Sequence, residues 1–204
     1  IKGVLRKPIM VWAQGLVVET KLGAWLARLT LNQVDLITVR DRNSLSTLIR
    51  IKAIKPPHFL TADPALLIQP SSAEVGAALL KKAGVPLNPQ RKLIALCPTF
   101  WTFYHNKNDL IPYMFAKKIG LRKNRRAKEI ELFKSSLINL IDKITDQYQA
   151  NIVLLPRYPS DLWDDLKYLE DVTRRVRNKS NVFLYRDDDA APQDYLAMWR
   201  VFDL

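Results

Sequence analysis

The sequence predicts an α/β protein built on two doubly wound parallel sheets, each incomplete, and three observations carry that reading. Short apolar or β-branched runs alternate with stretches of helical periodicity, the pattern of strand, helix, strand. The alternation breaks at a passage rich in proline and serine between Gln69 and Gln90, then restarts. The 204 residues are 48% hydrophobic and 25% charged, enough apolar side chains to fill one or two globular cores.

In the first half, Pro8 to Gly15 is a short apolar run closed by glycine, as for a fully buried strand ending in a tight loop. Leu22, Trp25, Leu26 and Leu29 recur at spacings of three and four, so Lys21 to Gln33 reads as an amphipathic helix. Asp35 to Val39 is a second buried strand, and Asp41 or Asn43 caps a helix running through Leu45, Leu48 and Ile49. Pro56-Pro57 excludes a helix, and a short element over Phe59 to Ala62 ends at Asp63-Pro64. A short helix, Glu74 to Ala83, lies inside the proline-rich passage.

The second half repeats the pattern with strands at Lys92 to Cys97, Asn151 to Leu155 and Asn181 to Tyr185. Ile130, Phe133, Leu137, Leu140, Ile141, Ile144 and Tyr148 mark one face of a long helix between the first two strands. Two more helices follow, Ser160 to Arg177 and Pro192 to Trp199, and Phe202 to Leu204 opens a further strand. The expected organisation is therefore residues 1–70 as the C-terminal part of an N-terminal domain, 71–90 as an interdomain connection, and 91–204 as a truncated second domain. Ile1-Lys2-Gly3 lacks an initiator methionine and the last residues open a strand, so the chain is expected to be a fragment. Ligands of doubly wound sheets bind outside the carboxyl ends of the strands. The loops with a positional claim are Gln14-Gly15, Arg40 to Ser44, Pro98 to Asn108, Pro156 to Asp161 and Arg186 to Asp189.

Composition narrows the function classes. No uncharged apolar run approaches the roughly 18 residues a bilayer span needs, and the stretch Ala62 to Gln69 is short and interrupted by Asp63. The single cysteine, Cys97, forms no internal disulfide, which suits a cytosolic setting. A net charge of +12 favours phosphorylated small molecules, nucleic acid or an acidic bilayer surface. The six glycines form no phosphate-binding loop. His58, His105 and one cysteine have no metal-ligand spacing, so no metal site is expected. Asp187-Asp188-Asp189 reads either as a cation site or as a solvated helix entrance, with the second favoured. Leu110 to Ala116, followed by the basic run to Lys128, reads either as a peripheral membrane contact through 110–128 or as a solvated loop. Nucleic acid is a disfavoured partner, because Trp101, Phe103 and Tyr104 could stack on bases but no binding motif surrounds them.

Asp35-Leu-Ile-Thr-Val-Arg-Asp-Arg-Asn-Ser44, followed by Thr61-Ala-Asp-Pro64, resembles the strand, loop and "taDp" element of the polysaccharide pyruvyl transferase family. Trp12 to Gly15 resembles that family's "GQGxGP" loop, and Leu154-Leu-Pro156 with Asp161 its "flPxxxxD" segment. The resemblance covers nearly the whole chain. It implies two Rossmann-like domains of GT-B type and transfer of a pyruvyl group from phosphoenolpyruvate to two hydroxyls of a cell-surface polysaccharide or its lipid-linked precursor, giving a ketal. No cofactor is implied beyond phosphoenolpyruvate as co-substrate. The expected substrate-binding residues are Gln14, Gly15, Arg40, Asp41, Ser44, Asp63, Thr99, Trp101 and Arg157. The family's Arg-Leu-His motif, which supplies donor binding and proton transfer, would fall after Leu204, so this chain alone is expected to be inactive. Cys97-Pro-Thr-Phe-Trp101 lacks an arginine frequent in the family's active members, and Leu16-Val-Val18 replaces its Gly-Pro. Arg40 and Asp41 either contact ligand or brace each other, and Asp63 either binds sugar or caps an element. Two other readings stay open: a GT-B glycosyltransferase with a nucleotide-sugar donor, and a non-catalytic module binding anions or nucleic acid.

Overall fold

A computed structural model describes residues 7–18, 20–100, 127–157, 165–186 and 189–203. The chain forms two compact units, Ile1–Ile68 and Gln69–Leu204.

The first unit carries strands β1 (Met10–Gln14), β2 (Leu36–Val39) and β3 (His58–Leu60), all parallel and in that order across the sheet. Helix α1 (Lys21–Leu31) joins β1 to β2, and α2 (Arg42–Arg50) joins β2 to β3. Thr20 caps α1 by accepting the amide of Gly23 at 3.0 Å. Asp63 caps a 3-10 turn, Pro64–Leu67. Ile37, Val39, Leu48, Ile51 and Ala53 form the core, against which Ala24, Ala27 and Leu31 of α1 pack.

One expectation fails in this unit. β1 is not a fully buried strand: Met10 is 49% exposed and Trp12 64%. Successive strand residues point to opposite faces. The core holds Ile37 and Val39, so Met10, paired with Leu36, and Phe59, paired with Thr38, face the other way and are exposed. The α1 helix forms, but its apolar stripe does not face the core. Leu22, Trp25, Leu26 and Leu29 are all exposed, while the smaller Ala24 and Ala27 pack inward.

The second unit carries β4 (Leu93–Leu96), β5 (Asn151–Leu154) and β6 (Val182–Leu184), again parallel and in sequence order. Here both faces are covered. Ile94, Ile152, Leu154 and Val182 pack with Ile130, Leu137, Ile138 and Ile141 of α4 (Ala127–Tyr148) and Leu169 and Val172 of α5 (Asp165–Arg175). Leu93 and Val153 face Leu80 of α3 (Ala73–Lys82) and Met198 of α6 (Pro192–Met198). The passage 71–90 thus contributes α3 to this unit. The helix pair α3–α6 meets at Gly76, where a Cβ would lie 2.4 Å from the Ala197 carbonyl oxygen. Ser71 fixes the same junction by donating its amide to the Gln193 carbonyl at 3.0 Å. Phe202–Asp203 is not a strand, yet the Asp203 amide donates to the Leu93 carbonyl at 2.8 Å along the edge of β4. The expected helix start at Ser160 lies outside the described residues, as does the segment 101–126.

Candidate functional site

In the first unit, residues far apart in sequence gather at the carboxyl rim of the sheet because β1, β2 and β3 all end there. β1 ends in a bulge: Ala13 takes φ 43°, a left-handed value that costs a non-glycine residue about 1–2 kcal/mol. The Thr38 hydroxyl holds this bend by accepting the Ala13 amide at 2.6 Å. Gly15 follows. A Cβ there would sit 2.9 Å from Arg40 Nη2 and 3.0 Å from Nε, so glycine is what lets the guanidinium lie against the loop backbone.

Arg40 Nη1 donates to Asp63 Oδ2 at 2.7 Å. The pair is half-exposed, so it adds at most about 1 kcal/mol to stability. It aims the guanidinium instead. The other carboxylate oxygen of Asp63 accepts the Ala65 amide at 3.0 Å. Arg40 therefore pairs with Asp63, and the alternative bracing pair of Arg40 with Asp41 does not form. Asp41 is the cap of α2, with Oδ1 accepting the Ser44 amide at 2.7 Å. That backbone bond, followed by the Ser44 hydroxyl and the nearby Arg40 charge, holds the Asp41 carboxyl below its usual value. Ser44 is buried and its Oγ accepts the Leu16 amide at 2.8 Å, so its hydroxyl ties the loop after β1 to the start of α2. Gln14 is exposed and donates to the Gly15 carbonyl at 3.1 Å. Gln14, Gly15, Arg40, Asp41, Ser44 and Asp63 are thus brought together. Arg40 and Gln14 present polar groups outward, and Asp41, Ser44 and Asp63 hold the backbone and the guanidinium in place.

In the second unit, the carboxyl rim carries Cys97, Thr99 and Arg157. The Thr99 hydroxyl is buried without a hydrogen-bond partner among the described residues. Sequence reasoning missed Asp165, which is fully buried and whose Oδ1 accepts the Phe100 amide at 2.9 Å, fixing the loop after β4. The sequence signal nearby was the resemblance of Leu154-Leu-Pro156 with Asp161 to a family segment, and Asp161 lies outside the described residues. Burial pushes the Cys97 thiol up, Arg157 pulls it down and Asp165 pushes it up again. The net rise makes it a protonated thiol at neutral pH rather than a nucleophile. Tyr195 is pushed up to about 12, by burial first and Cys97 second, so it stays a neutral phenol. Trp101 lies outside the described residues, as do Asp187, Asp188 and most of the 110–128 segment. No three His, Cys, Asp or Glu side chains gather as a metal site among the described residues. No described helix is long and apolar enough to cross a membrane.

A family model described as polysaccharide pyruvyl transferase matches residues 2–198. No curated protein matches the chain.

Proposed function

The chain belongs to the polysaccharide pyruvyl transferase family, and we propose on that premise that the intact protein transfers a pyruvyl group from phosphoenolpyruvate to a sugar of a cell-surface polysaccharide or its lipid-linked precursor. The reaction works in the cytoplasm and closes a ketal. The donor's enol carbon takes a proton, two sugar hydroxyls add in turn to the neighbouring carbon, and the carbon–oxygen bond to phosphate breaks. One hydroxyl proton ends on the new methyl group, the other on the released phosphate. The family match carries this reading, and the motif residues gathered at the rim of the first sheet support it.

A donor bearing a phosphate and a carboxylate needs fixed cations and amide donors. Arg40 fits that need, since Asp63 orients it from behind and Gly15 leaves room for it, while half of the guanidinium side chain stays open. Gln14 and the Gly15 loop supply polar lining beside it, positioned through Ser44 and Asp41. In the second unit Thr99 and Arg157 lie at the carboxyl rim of its own sheet, where Asp165 holds the loop after β4 through the Phe100 amide, and these two are proposed as substrate-binding residues of that unit.

The test is acceptor-dependent release of inorganic phosphate from phosphoenolpyruvate, followed by phosphorus NMR with candidate lipid-linked and free saccharides. The intact protein is expected to release phosphate only with an acceptor. Arg40→Ala should lower kcat/KM at least about tenfold while shifting the melting temperature little. Turnover of a nucleotide sugar with no use of phosphoenolpyruvate would replace this reading by a glycosyltransferase.

A further inference from the structure

We propose that the outward face of α1 docks on an anionic lipid bilayer. The helix packs on its core through Ala24, Ala27 and Leu31. At 3.6 residues per turn, Leu22, Trp25, Leu26 and Leu29 centre on the opposite side, and each is about half exposed. An ordinary surface helix reverses this arrangement, turning its large apolar side chains inward and polar ones to water. Here the small residues face in and the large ones face out.

The charges around the stripe decide what covers it. The helix sequence Lys-Leu-Gly-Ala-Trp-Leu-Ala-Arg-Leu-Thr-Leu contains no acid. Lys21 and Arg28 lie together along one border of the stripe by the helical period, and both are exposed. The whole chain carries +12. A second copy laid antiparallel against this face would set the Lys21–Arg28 border along its own counterpart with no carboxylate in either helix to neutralise it. A surface of anionic headgroups instead pairs with both cations, and the leucines and indole enter the acyl boundary. Trp25 suits the headgroup level, where an indole keeps its N–H hydrated and its ring buried. The surface is independent of the donor chemistry, so its test reads lipid binding and not turnover.

The full chain is expected to float with vesicles of mixed phosphatidylglycerol and phosphatidylcholine and to stay behind with pure phosphatidylcholine. Leu26→Glu should weaken partitioning at least about tenfold, because one leucine's transfer is lost and a repelling charge added. Leu29→Gln should weaken it by a smaller factor. Both positions are exposed, so thermal melting of the variants should match the parent. Arg28→Glu should lower binding to the anionic vesicles and flatten its dependence on salt. Unchanged binding by Leu26→Glu would overturn the proposal. So would a dimer that sediments in the parent and is lost in that variant, since the occupant would then be a second copy.

Discussion

The two sheets have the same strand number, direction and order, yet they are covered differently. In the second unit each strand residue meets a helix on whichever face it points to, so β5 is buried along its whole length. In the first unit α1 and α2 share a single core, and Met10, Trp12 and Phe59 stand uncovered on the other face. The difference teaches what a short apolar run encodes. It encodes a strand, and the number of layers stacked on that strand comes from elements elsewhere in the chain.

The sharpest way to break this comparison is a matched pair of truncations. Leu154→Ala removes a fully buried side chain from the double-covered strand and should cost about 3–4 kcal/mol in urea unfolding. Trp12→Ala removes a larger side chain that is 64% exposed and should cost within about 1 kcal/mol. Comparable losses would mean that the second face of the first sheet is covered after all.

Legibility in the sequence follows the same line. Periodicity located α4 because most of its apolar positions turn inward, with Ile130, Leu137 and Ile141 buried, although Leu140 and Tyr148 of the same set are exposed. The same reasoning located α1, yet its Leu22, Trp25, Leu26 and Leu29 stripe faces outward, since period fixes which residues share a face and not where that face looks. The residues at the rim of the first sheet were readable as motifs. Their pairing was not: Arg40 finds Asp63 across twenty-three positions rather than its neighbour Asp41, because β2 and β3 lie side by side and end together. Of the two possible caps for α2, Asp41 won over Asn43. Asp165 was invisible because nothing local says that an acid on a helix will be buried against the Phe100 amide.

A smaller effect separates the units by pH. Lys134 on α4 bridges to Glu131 and to Asp171 on α5, and Arg175 joins both acids. The hydrogen bond from Lys134 is the first cause lowering both carboxyls, below 4.5 for Glu131 and below 3.8 for Asp171. Burial pulls the Lys134 ammonium down, but the bonds to Asp171 and Glu131 outweigh it and the net shift is upward from 10.5. A lowered carboxyl stabilises fully above its unfolded value and loses that contribution as pH falls through the folded one. The clamp should therefore be at full strength at neutral pH and lose its contribution progressively as pH falls below the carboxyls' unfolded values and through their lowered folded ones. Lys134→Met should remove this acid-dependent part, lowering the melting temperature by about 2–4 °C at neutral pH and by less in acid. In the first unit the lowered acid is Asp41, which caps its own helix, so Lys134→Met should leave amide exchange in α2 unchanged. Equal acid sensitivity of parent and variant would show that the clamp contributes nothing.

The smallest effect asks whether local backbone terms ignore the difference in cover. Lys52 follows α2 with φ 58°, and Gln149 follows α4 with φ 50°, both in the left-handed region that glycine occupies without cost. Gly84 already fills the corresponding place after α3, with φ 78°. Both side chains are exposed, so Lys52→Gly and Gln149→Gly give up little contact. Each should stabilise by about 0.5–1 kcal/mol, the left-handed penalty relieved less the entropy glycine adds to the unfolded chain. The amide of Lys52 keeps its bond to the Ile49 carbonyl, and its carbonyl keeps that from Asn32, because neither involves the side chain. Equal gains in urea unfolding would show that helix termination is settled within a few residues in both units, whereas the layers above each sheet are settled by the rest of the chain. A glycine that destabilised at Lys52 alone would mean that the singly covered unit holds this turn by its side chain and not by its backbone.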